Sequence, residues 1–170
     1  SVRDNQGHAP LHVAARHRKR DMVELLLKLE ANPDALDGSG MSPLVHAVMR
    51  DDAASIKVLA NHRADLDRIS LGVLTPLAIA IVEDRLSAAM ALIEAGADPG
   101  RASGETGLTP LMLASGKEPL HMTLGAGRRR IEKIHPQYPG TLEVVRALIG
   151  AGAKVDAVSK SGVTALILAA

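Results

Sequence analysis

Gly7-His8-Ala9-Pro10-Leu11-His12, Gly40-Met41-Ser42-Pro43-Leu44, Leu74-Thr75-Pro76-Leu77 and Gly107-Leu108-Thr109-Pro110-Leu111 are four copies of one short phrase, and their spacing decides the fold. Pro10, Pro43 and Pro76 follow one another at intervals of 33 residues, and Pro110 comes 34 residues later. A period of that length marks stacked units, each too small to bury its apolar face alone. A fifth copy, Gly162-Val163-Thr164-Ala165-Leu166, carries alanine in place of the proline.

Each residue of the phrase has a physical task at the start of a helix. The hydroxyls of Ser42, Thr75, Thr109 and Thr164 can accept from the unpaired N–H groups of a first turn. Proline fits the first helical position, where its missing N–H costs nothing and its φ is already helical. Gly7, Gly40, Gly107 and Gly162 precede the cap, where a tight turn calls for positive φ. The third unit has Val73 there instead, so its turn is expected to differ.

Short apolar stretches follow, residues 11–15, 44–48, 77–81 and 111–114, each too short to be stable alone. A second apolar-periodic segment comes next in each unit: Met22-Val23 with Leu25-Leu26-Leu27, Ile56 with Val58-Leu59, Ala88-Ala89-Met90 with Leu92-Ile93, and Val144-Val145 with Leu148-Ile149. These predict antiparallel helix pairs, with second helices starting at Asp21, Ala54, Ser87 and Glu143. Gly96 and Gly152 then sit where a left-handed residue turns the chain out of a helix. Glu30 and Arg63 hold the same position and bear the penalty of a Cβ there.

The Thr-Pro-Leu-His type of start, the Leu-Leu and Gly-Ala-Asp type of finish and the 33-residue period resemble the ankyrin repeat, over essentially the whole chain. The resemblance implies an all-α fold, an ankyrin-repeat α-solenoid of antiparallel helix pairs with short β-hairpin or turn fingers along one edge. The units are placed at 4–36, 37–69, 70–103 and 104–158, with a partial fifth at 159–170. Leu166, Ile167 and Leu168 then have no second helix to cover them, so the parent chain is expected to continue or another chain to cap this end. The start at Ser1 without an initiator methionine likewise points to a segment of a longer protein.

The fourth unit is longer than the others. From the helix-start proline to the second helix the distance is 11 residues in three units, but Pro110 to Glu143 spans 33, an insertion at about 117–140. Two readings stand: a tolerated loop, because closure entropy grows slowly with length, or a recognition loop. In the second, Arg128, Arg129, Arg130 and Lys133 face an acidic partner and Tyr138 anchors the contact. A further basic cluster, Arg16-His17-Arg18-Lys19-Arg20, falls at the first inter-helix turn. Solvated charge near a helix C-terminus accounts for it; a polyanion or nuclear-import site is the sharper alternative.

Composition narrows the function classes. Twenty basic and nineteen acidic residues leave a net charge of +1, with no general attraction for nucleic acid or anionic membrane. Without cysteine there is no disulfide, thiolate nucleophile or Cys-based zinc site, which fits an intracellular setting, cytoplasm or nucleus. Phe and Trp are absent and Tyr138 is the one aromatic, so the core must be built from Ala, Leu, Ile, Val and Met. No apolar run approaches the roughly 18 to 20 residues of a membrane-spanning helix.

No chemical constellation is legible in the sequence: catalytic residues, cofactors and metal ligands are expected to be absent. His8 and His12 have four-residue spacing, but Pro10 opens the helix between them and places His8 in the turn. His12 holds a histidine position typical of the ankyrin start and is expected to make structural hydrogen bonds. His121 and His135, with Glu118 and Glu132, lack ligand spacing, and Gly125-Ala126-Gly127-Arg128 lacks the Lys-Ser/Thr finish of a phosphate loop.

The expected function is therefore that of a protein–protein interaction module, not an enzyme, with a protein partner and no small-molecule substrate. The alternative is a targeting module of a larger enzyme, such as a kinase, ubiquitin ligase or acyltransferase. The ankyrin resemblance places candidate contacts at Asn5, Gln6, His8, Arg16 and His17; Ser39, Met41, Met49 and Arg50; Leu71, Leu74, Val82 and Glu83; Glu105, Thr106 and Leu108; and Lys160, Ser161 and Val163. Of these Met41, Leu71, Leu74, Val82 and Leu108 are apolar, and are expected to form an exposed stripe along the concave face.

Overall fold

A computed structural model describes residues 2–70, 74–104, 107–116, 123–124, 129–130 and 141–169. In it the helix-start prolines open α1 (Pro10–Arg16), α3 (Pro43–Met49), α5 (Pro76–Val82) and α7 (Pro110–Ser115), and α9 (Ala165–Ala169) opens at the alanine of the fifth copy. The second helices are α2 (Arg20–Lys28), α4 (Ala53–Asn61), α6 (Leu86–Glu94) and α8 (Thr141–Gly150). They begin one or two residues before the expected starts, partly because Asp52 caps α4 by accepting from the Ser55 N–H at 3.3 Å. In the insertion, β1 (Thr123–Leu124) pairs antiparallel with β2 (Arg129–Arg130).

The predicted caps form. Ser42 Oγ accepts from Val45 N–H at 3.4 Å, Thr75 Oγ1 from Ala78 at 3.2 Å, Thr109 Oγ1 from Met112 at 3.3 Å and Thr164 Oγ1 from Ile167 at 3.3 Å. At the first unit Ala9 offers no cap, and His12 fills in by accepting the Ala9 N–H on Nδ1 at 3.1 Å.

The helices pack as two rows. In the first, α1, α3, α5, α7 and α9 succeed one another; behind them α2, α4, α6 and α8 form the second, and each first-row helix from α1 to α7 packs on its own second helix. The packing is close because the same register carries alanine, Ala14, Ala47, Ala80 and Ala114, all buried. One turn earlier Leu11, Leu44, Leu77 and Leu111 fill the space between rows, each contributing roughly 1.5–3 kcal/mol by burial. Aspartates stitch unit to unit: Asp34 Oδ1 accepts from Asp65 N–H and Asp67 Oδ1 from Asp98 N–H, each at 2.9 Å.

Between the pairs, five fingers close with one repeated bond. The N–H of Asp4, Asp37, Ser70, Ser103 and Ser159 donates to the carbonyl of His8, Met41, Leu74, Leu108 and Val163 respectively, at 2.7–3.0 Å. Gly7, at φ 77°, meets the next finger so closely that a Cβ there would stand 2.7 Å from Gly38 N. Gly38 N–H in turn donates to Gln6 O at 3.0 Å. Glu30 and Arg63 do adopt left-handed φ, 61° and 63°, beside Gly96 at 92° and Gly152 at 97°. A second such column, Arg18, Asp51 and Asp84 at φ 51–56°, lies in the inter-helix turns and carries no glycine to mark it in the sequence.

Candidate functional site

The expected contact residues divide by where the fingers and first-row helices place them. Asn5, Gln6, Ser39, Lys160 and Ser161 stand exposed at finger tips, and His17 and Arg50 stand exposed just past the C-terminal ends of α1 and α3. Arg16, Met41, Met49, Glu83 and Val163 are half-buried. Leu71, Glu105 and Thr106 lie outside the described residues, as do Arg128, Lys133 and Tyr138 of the insertion. Arg129 and Arg130 form β2.

The described members of the expected apolar stripe are not exposed. Leu74 is 0% exposed, Val82 6% and Leu108 7%, and Met41 is partly buried against the same core. His8, expected at the surface in the same register as Leu74, is also buried. The reason lies in the finger geometry: the residue that closes each finger is pulled back by its own carbonyl bond and lies under the finger rather than at its tip. Val82 ends α5, which is flanked by α3, α7 and α6, so neighbours cover it. Apolar character at these positions is what burial requires.

Beneath the first two fingers the structure assembles a polar group that sequence spacing did not reveal. Asp4 Oδ1 accepts from the N–H groups of Gln6 and His8, each at 2.9 Å, and Asp4 Oδ2 receives the His8 Nδ1–H at 2.9 Å. One unit on, Asp37 Oδ1 accepts from Ser39 N–H at 2.8 Å and Met41 N–H at 3.0 Å. Asp37 Oδ2 then receives the His46 Nε2–H at 2.8 Å, while His8 Nε2 stands 3.5 Å from the same oxygen. His12 packs beside them, with ring centroids 6.1 Å from His8 and 5.7 Å from His46.

The roles of these groups differ. His12 Nδ1 is an acceptor, so its proton is on Nε2, which donates to Ala35 O at 2.9 Å and Met41 O at 3.2 Å. His12 is thus the structural hydrogen-bonding residue expected of it, tying α1 to the second finger. Burial lowers the pKa of His12 and of His46, and hydrogen bonding only partly opposes it. The His8 ring and the N–H groups of His8 and Gln6 hold the Asp4 carboxyl at about 2. Burial pushes Asp37 up, but bonds from Met41, His46 and Ser39 outweigh it and leave its pKa lowered.

Among the described residues, His8, Asp37 and His46 are the set whose ligand atoms converge as a metal would require, all within 4.8 Å of one another. The sequence does hold a signal for them once the units are aligned. His46 shares its register with Val13, Ile79 and Leu113, and His8 shares its own with Met41, Leu74 and Leu108, so each is a polar residue in an apolar column. Spacing along the chain, 29 residues from His8 to Asp37 and nine more to His46, conceals the cluster.

A family model for ankyrin repeats, in three copies, matches residues 11–103, more than half of the chain. No curated protein matches the chain significantly. Ankyrin repeats are generally protein-binding modules and typically non-catalytic. No helix among the described residues is long and apolar enough to cross a membrane. The register of caps, prolines, buried leucines and finger bonds, together with that match, makes the chain a member of the ankyrin repeat family.

Proposed function

We propose that this array binds a partner protein through the tips of its fingers and the outer ends of its first-row helices. The observation that carries this reading is a contrast between columns: Leu11, Leu44, Leu77 and Leu111 repeat as one buried column, while the exposed tips change from unit to unit, Asn5, Gly38 and Lys160 at one register and Gln6, Ser39 and Ser161 at the next. A scaffold that keeps its interior constant and varies its tips sets specificity by a few surface anchors. His17 and Arg50 add cationic or polar contacts, flanked by half-buried Arg16, Met49 and Glu83.

Replacing Asn5, Gln6, Ser39, His17 and Arg50 together with alanine tests the reading. These side chains are exposed, so the unfolding midpoint should move by no more than about 0.5 kcal/mol per site. Partner capture, compared between wild type and variant by quantitative pulldown, should fall at least tenfold. Undiminished capture by a folded variant contradicts the proposal and moves attention to the insertion with its Arg128, Arg129, Arg130, Lys133 and Tyr138.

A further inference from the structure

We propose that His8 Nε2, His46 Nε2 and Asp37 Oδ2 form a divalent transition-metal site between the first and second fingers, suited above all to Zn2+. The three side chains come from different places: His8 closes the first finger, Asp37 opens the second and His46 lies in α3. All three residues are buried, and the ligand atoms lie within 4.8 Å of one another. Tetrahedral Zn2+ with bonds of about 2.0–2.1 Å places neighbouring ligand atoms about 3.3 Å apart. The observed separations to Asp37 Oδ2, 2.8 Å from His46 and 3.5 Å from His8, bracket that value. The metal takes the place of the His46 Nε2 proton, so that ring carries its proton on Nδ1 when metal is bound; small ring movements complete the site, and a water supplies the fourth position.

Two features distinguish this group from an ordinary hydrogen-bonded cluster. First, both nitrogens of His8 face carboxylate oxygens, Asp4 Oδ2 at 2.9 Å and Asp37 Oδ2 at 3.5 Å. A neutral imidazole has one N–H. In the neutral ring one nitrogen therefore turns its lone pair to a carboxylate, and a metal ion held between His8 Nε2 and Asp37 Oδ2 would satisfy both. Second, the outer contacts are those that orient metal ligands: Asp4 holds His8 Nδ1, and two backbone N–H groups hold Asp37 Oδ1, so that Oδ2, which takes the His46 bond, is the oxygen that faces the imidazoles.

The repeat does not require imidazoles at these two registers. At the His8 position later units bury Leu74 and Leu108, and at the His46 position they bury Ile79 and Leu113. Two buried histidines converging on one buried aspartate, where the scaffold elsewhere uses aliphatic residues, is the donor set that zinc selects. Bound metal would pin the first finger to the second and so fix Asn5, Gln6 and Ser39 relative to one another.

The same columns supply variants that keep the fold. His8→Leu and His46→Ile install residue types that other units already bury there. Chelator-treated wild-type protein, titrated with ZnCl2 at neutral pH by calorimetry, should take up one equivalent. Cobalt in its place should show the intense visible d–d bands of a tetrahedral site. Each variant, folded by circular dichroism, should bind Zn2+ at least about tenfold more weakly. No stoichiometric uptake by wild type, or wild-type affinity in both folded variants, overturns the proposal.

Discussion

The first two fingers and the third share a backbone bond but are held by different physics. In one column stand Asp4, Asp37 and Ser70, and in the closing column His8, Met41 and Leu74. Where the opening residue is aspartate, its Oδ1 takes the N–H of the closing residue, at 2.9 Å in the first finger and 3.0 Å in the second. Where it is Ser70, the closing N–H of Leu74 returns to the backbone carbonyl at 3.2 Å, and a fully buried leucine anchors the turn. One fold thus accepts a charged and an apolar solution at the same register. The charged one assembles imidazoles and carboxylates, and the apolar one rests on burial.

Substitutions at matched positions break or sharpen this contrast. The largest effect belongs to the apolar end: Leu74→Glu should unfold the array, because it strands a charge at a site with no exposure. Leu74→Ala should cost about 3–4 kcal/mol. A cooperative thermal transition retained by Leu74→Glu would return Leu74 to the surface and restore the apolar stripe. In the polar end, His12→Ala removes a buried ring that serves Ala9, Ala35 and Met41, and should cost about 2–3 kcal/mol in a urea titration.

Acid should act on the polar end as well. His12 is held by burial below its ordinary value of 6.5, so the folded state keeps it neutral while the unfolded chain binds a proton. Its contribution is complete above that value and is lost as pH falls below it toward the folded pKa. Asp4, held at about 2, works in the same sense in a more acidic window, from its ordinary 3.8 downward. Urea midpoints measured with chelator present should therefore fall as pH drops through 6.5, and a flat profile across that range would contradict the assignment.

The smallest effect is Glu30→Gly. Glu30 is exposed at φ 61°, and Gly96 and Gly152 hold the equivalent position, so the change should stabilise by about 0.5–1 kcal/mol. An unchanged or lower urea midpoint would show that the left-handed conformation carries no strain there.

How much was legible in the sequence follows from what repeats. Prolines, capping hydroxyls and the Glu30 and Arg63 turns are local, so each announces itself within a few residues. The polar cluster is not local: Asp37 and His46 meet His8 only because stacking lays the second finger on the first. The apolar stripe misled for a related reason. Family position says that a residue lies in a finger but does not say whether it is at the tip or beneath it, and Leu74 and Leu108 are beneath. Their hydrophobicity was a burial signal in a column whose first member, His8, is polar.

The most direct test of the two-solution account is amide hydrogen exchange across the fingers of an Asp37→Ala variant, which removes the carboxylate without supplying a hydroxyl such as Ser159 Oγ, which accepts the Val163 N–H in the fifth finger. Asp37 Oδ1 holds the N–H groups of Ser39 and Met41. Losing a charge-assisted bond should raise exchange at both by about tenfold, while Ser70 and Leu74 keep their protection. Unchanged exchange at Ser39 and Met41, or equal acceleration in the third finger, would contradict the claim that the two ends are held in different ways.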